Sequence, residues 1–152
     1  MNVVIAHFGA VEVAAFEYRG PLDRFEEMAV PFLVRFYKAH GLPREGPRRF
    51  GVFTTDPNTT PPAENTYDYC VEFSGSLAES DRHMTKKVIP GLRCARFRHR
   101  GSTNELHAAI QMVWNTWLPE RAERATRAWC DPTTGEHPIF FEYIGFGPKG
   151  PT

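Results

Sequence analysis

Six apolar residues of one stretch, Phe25, Met28, Ala29, Phe32, Leu33 and Phe36, reappear 81 positions later as Leu106, Ala109, Ile110, Val113, Trp114 and Trp117. Their spacing, i, i+3, i+4, i+7, i+8 and i+11, is that of a single apolar helix face. The same offset holds upstream without a gap, where Val3 to Gly20 runs against Met84 to Gly101 and matches at Ala14/Ala95, Phe16/Phe97, Arg19/Arg100 and Gly20/Gly101. The chain therefore reads as a tandem duplication of one strand-to-helix unit. A unit with one apolar face cannot bury that face alone, so the two copies are expected to pack about a pseudo-two-fold axis. The seam between them is the expected place for a site.

Local signals fill in the unit. Val3 to His7 and Val11 to Tyr18 read as strands broken at Gly9-Ala10; Lys87 to Ile89 and Leu92 to His99 repeat this around Pro90-Gly91. Each pair ends in Arg-Gly, where the glycine is expected to supply the backbone conformation of the turn into a helix. Helix one is predicted from Leu22 to His40, carrying Pro31, and stops at Gly41-Leu42-Pro43. Helix two is predicted to start at Ser102, which forms a capping box with Glu105. Arg49 to Thr54 and Thr66 to Phe73 read as strands joined by a Pro-rich loop. The expected fold is α+β: two strand-helix-strand-strand modules related by pseudo-two-fold symmetry, with an antiparallel sheet and two main helices. All of 1–152 forms one domain, with module one at about 1–73, a polar linker at 74–82 and module two at about 83–147. Module two is less complete. A charged stretch, Glu120 to Arg127, is followed by a possible strand at Ala128 to Cys130 and by the strand Ile139 to Phe146. The tail GPKGPT is expected to fray, which leaves no sequence for a closing strand.

Composition narrows the function classes. A chain of 152 residues buries roughly 70% of its unfolded surface and needs no cross-links. Three widely spaced cysteines, Cys70, Cys94 and Cys130, suggest neither a disulfide framework nor a zinc site, so a reducing cytoplasm is the expected setting. No signal peptide or apolar run of about 18 residues is present, and no membrane role is expected. With 18 basic and 18 acidic residues the net charge is zero, which argues against a large nucleic-acid footprint. No phosphate-binding glycine loop, Ser-His-Asp grouping or metal-ligand spacing can be read, so no cofactor and no metal are expected.

The strand Ile139 to Phe146 places Phe140, Glu142, Ile144 and Phe146 on one side and Ile139, Phe141 and Tyr143 on the other. Glu142 is a lone carboxylate among apolar neighbours. It should pair with an Arg or Lys, carry a raised pKa, or await a cation from outside. Tyr18 and His99 occupy equivalent positions before the two Arg-Gly turns, as ligand-facing groups or as amphipathic rim residues. Trp114 and Trp117 lie on the apolar face of helix two, as core or as the aromatic wall of a cation pocket. Asp68 and Glu72 form a solvated or salt-bridged strand face, and Cys70 and Cys94 read as small buried hydrophobes.

The segments YRG-PLDRFEEM, GPRRFGVFTTDPNTTPP, YDYCVEF, FRHRG and HPIFFEY, in this order and with the duplication, resemble the GyrI-like small-molecule-binding family. The resemblance implies two strand-helix-strand-strand modules with a ligand cleft between them. The ligands it implies are lipophilic and often cationic, bound over a glutamate in the late strand, at the position of Glu142. It makes Tyr18, Tyr69, Trp114 and Tyr143 candidate aromatic walls. Gly51 becomes the first-module counterpart of Glu142, where a small residue leaves the pocket room. Because no helix-turn-helix region accompanies the domain, a stand-alone binding protein is expected, with no direct contact to nucleic acid. Some stand-alone members resemble hydrolases of cyclopropane-containing DNA-alkylating compounds. In that alternative, Glu142 and Tyr143 would be catalytic and activate a water.

Overall fold

The computed structural model describes residues 2–55, 60–112, 139–143, 146–147 and 150–151. The chain is α+β, built on an antiparallel sheet. Strands β1 (Val4–Phe8) and β2 (Val11–Arg19) lead through a 3-10 turn at Leu22–Arg24 into α1 (Phe25–His40). Then come β3 (Arg49–Phe53), β4 (Thr66–Glu72), β5 (Met84–Ile89), β6 (Leu92–Arg96), α2 (Thr103–Met112) and β7 (Ile139–Tyr143). The main sheet has the order β5-β2-β4-β3-β7, and β1 pairs with β6 in a separate two-stranded sheet.

α1 begins with Glu26 and Glu27 in its first turn and ends with Lys38 and His40 in its last, the charge order that its dipole favours. It runs through Pro31 and is closed by Gly41 in the left-handed region at φ 61°. Phe25, Ala29, Leu33 and Phe36 form its buried stripe. They pack with Phe16, Tyr67, Tyr69, Val71 and Tyr143 of the sheet and with Leu106 and Ile110 of α2. The opposite side of the sheet carries a second cluster: Val11, Val13, Ala15, Phe50, Val52, Cys70 and Ile89, with Phe8 and Phe140 packed against it.

The two ladders that involve the predicted repeats share one register. Val11 pairs with Ile89 in the β2–β5 ladder, and residues shifted from these by 81, Leu92 and Phe8, pair in the β6–β1 ladder. Gly20 and Gly101 both take positive φ, 145° and 131°. The Tyr18 hydroxyl donates to the Pro21 carbonyl at 2.8 Å, and His99 Nε2 meets the Ser102 carbonyl, 81 positions on, at 3.1 Å. Both side chains thus close the same turn. At the start of α2 the Ser102 N–H donates to Glu105 Oε2 at 3.0 Å, the backbone half of the expected capping box.

Strand limits differ from expectation in places. β5 starts at Met84, three residues before the predicted Lys87, and β6 ends at Arg96, short of His99, whose ring turns to the Ser102 carbonyl three residues on. The predicted strand Ile139 to Phe146 ends as β7 at Tyr143. Phe146–Gly147 (β8) instead pairs with Gly150–Pro151 (β9), so part of the tail forms a small ladder. Glycine faces glycine there, which lets the two backbones approach. Val113, Trp114, Trp117 and the possible strand Ala128 to Cys130 lie outside the described residues.

The linker at 74–82 is tied to α1 by a buried carboxylate. Asp81 accepts from the Ala78 N–H at 2.8 Å and from His40 Nε2 at 2.7 Å, and the His40 ring lies against Phe36 and Phe73. Burial pushes the Asp81 carboxyl upward. The Ala78 N–H and His40 pull it down further, so it titrates below its ordinary value. Its contribution to stability is therefore complete above the unfolded-chain pKa of about 3.9 and is lost as pH falls through the lower folded value. Asp81→Asn is expected to cost about 1.5 to 3 kcal/mol at pH 7, a gap that narrows toward pH 3 as the parent protonates. Urea unfolding at both pH values measures it, and a pH-independent gap would show that the charge is irrelevant.

Candidate functional site

β7 pairs antiparallel with β3, and this register sets Glu142 opposite Phe50 and Phe141 opposite Gly51. Alternation then sends Glu142 and Phe140 to the side of the sheet away from the helices. There the rings of Phe8, Phe50 and Phe140 meet edge-on: 4.7 Å between Phe8 and Phe140, 6.0 Å between Phe8 and Phe50, and 6.4 Å between Phe50 and Phe140. Arg48, the residue before β3, shares this side by the same alternation. Its guanidinium stands 5.6 Å from the Phe8 ring and 5.1 Å from the Phe50 ring. It grips both oxygens of Glu142, Nε to Oε2 at 2.8 Å and Nη2 to Oε1 at 2.7 Å. This is the fork-on-fork geometry that makes Arg–carboxylate pairs strong and directional. The Glu142 hydrogen bonds hold Arg48 above its ordinary pKa.

The arrangement is a carboxylate beside aromatic faces with a cation seated between them. Quaternary ammonium and guanidinium groups are recognised by this chemistry. The pair is partly wet, with Arg48 42% and Glu142 27% exposed. Of the three alternatives for Glu142, the structure has the first, an arginine partner. Nothing in the local sequence of GPRRF singles out Arg48, because the choice depends on the β3–β7 register.

Four of the other expected site residues, Tyr18, Gly51, Tyr69 and Tyr143, fall on the helix side. Tyr69 is buried beneath α1 and stacks on Tyr143 at 5.2 Å, with 16° between the rings. The Tyr143 hydroxyl donates to Glu26 Oε1 at 3.0 Å, and Arg49 lies 5.8 Å from the Tyr143 ring. Burial raises Tyr69 to about 12 and Tyr143 well above its ordinary value, so both stay protonated at neutral pH. Tyr18 packs on Phe25 and Tyr67. Gly51 also faces this side, where a Cβ would overlap the Phe141 ring. The room that the missing side chain leaves is thus filled by Phe141, an aromatic ring covering a strand glycine. The sheet therefore divides the expected set, with Glu142 on one side and Tyr18, Gly51, Tyr69 and Tyr143 on the other. Trp114 and Trp117 lie outside the described residues. Sequence reasoning missed Arg48, Phe8 and Phe50 as neighbours of Glu142, whereas strand alternation alone placed Phe140 beside it.

A shallow indentation lined by Phe32, Phe36, Asp81, His83 and Met84 lies on the helix side, away from Glu142. Its one buried charge, Asp81, is already engaged by His40 and the Ala78 N–H. Among the described residues no group of three His, Cys, Asp or Glu side chains could hold a metal, and no helix is long and apolar enough to cross a membrane.

The model of the GyrI-like small molecule binding domain matches residues 1–130, and the chain belongs to this family. The match ends before β7 and does not cover Glu142. Among solved structures, the crystal structure of the EcmrR C-terminal domain is similar, with a TM-score of 0.51 and 11% identity over 75% of each chain. At that identity the likeness shows the fold.

Proposed function

We propose that this GyrI-like domain binds lipophilic, cationic aromatic small molecules at Glu142, in the seam between its two modules, to sequester or sense them in the cytoplasm. The observation that supports this reading is the Arg48 guanidinium seated on Glu142 against Phe8 and Phe50, a cation of the chain's own held by a carboxylate and aromatic rings. Phe8, Arg48 and Phe50 come from module one, and Phe140 and Glu142 from module two, so the site needs both. The reading of the chain as two repeats is supported by the matched ladders and by the equivalent Tyr18 and His99 turn contacts. Zero net charge fits a small-molecule partner better than a nucleic acid. The hydrolase alternative wants a hydroxyl beside Glu142, and the Tyr143 hydroxyl is bonded to Glu26 on the other side of the sheet.

Glu142→Gln keeps the volume and removes the charge. Because the pair is partly exposed, the change should alter stability by less than about 1 kcal/mol. Binding of tetraphenylphosphonium, measured by calorimetry, should weaken about ten- to a hundredfold, while neutral triphenylphosphine oxide is barely affected. Equal loss for both compounds, or for neither, would remove Glu142 from the binding site.

A further inference from the structure

We propose that Arg48 is a built-in occupant of the Glu142 cation site, so that a cationic ligand enters only by displacing the chain's own guanidinium. This rests on the binding role of Glu142 given above and adds how that site is gated. Three observations carry it. Arg48 takes both carboxylate oxygens, which leaves a ligand cation no direct access to the charge while the pair is closed. Its guanidinium also covers the faces of Phe8 and Phe50 that would otherwise receive a ligand's cationic or aromatic group. Finally, Arg48 has somewhere to go. Its side chain is 42% exposed, and Glu72, whose carboxylate accepts from the Arg48 N–H at 3.3 Å, stands beside it as a second anion. The backbone does not have to move, because the Arg48 carbonyl remains fixed by the Glu72 N–H at 2.8 Å. Arg48 can swing from Glu142 toward Glu72 or water by side-chain rotation alone.

Such a gate sets specificity. A weak cation, or one without an aromatic body, gains too little to replace a bidentate guanidinium. A lipophilic cation gains the aromatic faces as well. The apparent affinity is the intrinsic affinity multiplied by the fraction of molecules in which Arg48 has left Glu142.

Tetraphenylphosphonium binding is compared by calorimetry in the parent, Arg48→Ala, Arg48→Gln and Arg48→Ala/Glu142→Gln proteins, with thermal melts to confirm folding. Arg48→Gln keeps most of the stem, so it covers the case in which Arg48→Ala fails to fold. Removal of the guanidinium should tighten binding about five- to thirtyfold, since a partly exposed ion pair and its aromatic contacts are worth that much together. The added Glu142→Gln should abolish the gain. Methylguanidinium at millimolar concentration should compete with the probe in Arg48→Ala and have little effect in the parent, because the vacated seat accepts the group it lost. If the Arg48 variants bind as the parent does or more weakly, while Glu142→Gln alone still weakens binding, the gate is wrong and the Glu142 site stands. If Glu142→Gln has no effect in either background, or the probe binds none of the proteins, the site itself is wrong and the gate falls with it.

Discussion

Phe25→Ala is expected to cost about 3 to 5 kcal/mol, at the upper end of that range, a large part of the stability of a domain this size. Phe25 is fully buried, and its ring sits 5.3 Å from Tyr67 and 5.6 Å from both Tyr18 and Tyr69. Truncation would leave a cavity that three rigid rings on a sheet cannot close, and would remove aromatic contacts worth about 0.5 to 1.5 kcal/mol each beyond their buried area. At the offset of 81 that suggested a repeat, Leu106 is the position that corresponds to Phe25. Leu106 is 6% exposed in the same cluster, so Leu106→Ala should cost about 2 to 5 kcal/mol. Urea midpoints at constant m-value measure both. A loss below about 1.5 kcal/mol for Phe25→Ala would mean that the helix does not dock on this ring. A comparable shortfall for Leu106→Ala alone would deprive α2 of the role its sequence position assigns.

What could be read from the sequence follows the range of the interactions involved. α1 was legible because a 3.6-residue apolar stripe, acidic first turn and closing glycine are all local signals. The Arg-Gly turns were legible because positive φ favours glycine at both positions. Strand alternation already separated Glu142 from Tyr143 and Tyr67, Tyr69 and Val71 from Asp68 and Cys70. Which side each set faces depends on where the helices dock, and that is a tertiary choice. It was the resemblance that made Tyr18, Tyr69 and Tyr143 companions of Glu142, although the sheet stands between them. The Arg48 contact spans 94 positions and is set by the β3–β7 register, which no pattern within either strand encodes. Asp68 was legible only as part of a solvated or salt-bridged strand face. Its depth was not, because the side away from the helices is itself a core rather than a wet face.

That buried Asp68 leads to the second large effect, in which the charge left behind decides the outcome. Asp68 Oδ2 meets Lys87 Nζ at 2.7 Å, with the Asp68 side chain 5% exposed and that of Lys87 21%. In the sheet order the pair reaches from β4 to β5 across β2, and Ala15, between Val13 and Glu17 on that side, is small enough to let the lysine stem pass. Burial alone would lower the Lys87 pKa. The Asp68 hydrogen bond together with the negative charges of Asp68 and Glu17 outweighs it and leaves Lys87 above its ordinary value, so Lys87 stays charged through neutral pH. Lys87→Met would leave a nearly dry carboxylate without this ammonium and should cost about 3 to 5 kcal/mol. Asp68→Leu should cost less, roughly 1 to 3 kcal/mol, because Lys87 can turn to water or to Glu17, already 3.8 Å away. The double variant Asp68→Leu/Lys87→Met removes both charges and fills the space, and it should be more stable than Lys87→Met alone. Urea unfolding of the three variants tests the order. A double variant that loses the sum of the singles would mean that the two side chains act independently and that the bond across β2 does not hold β5 in place.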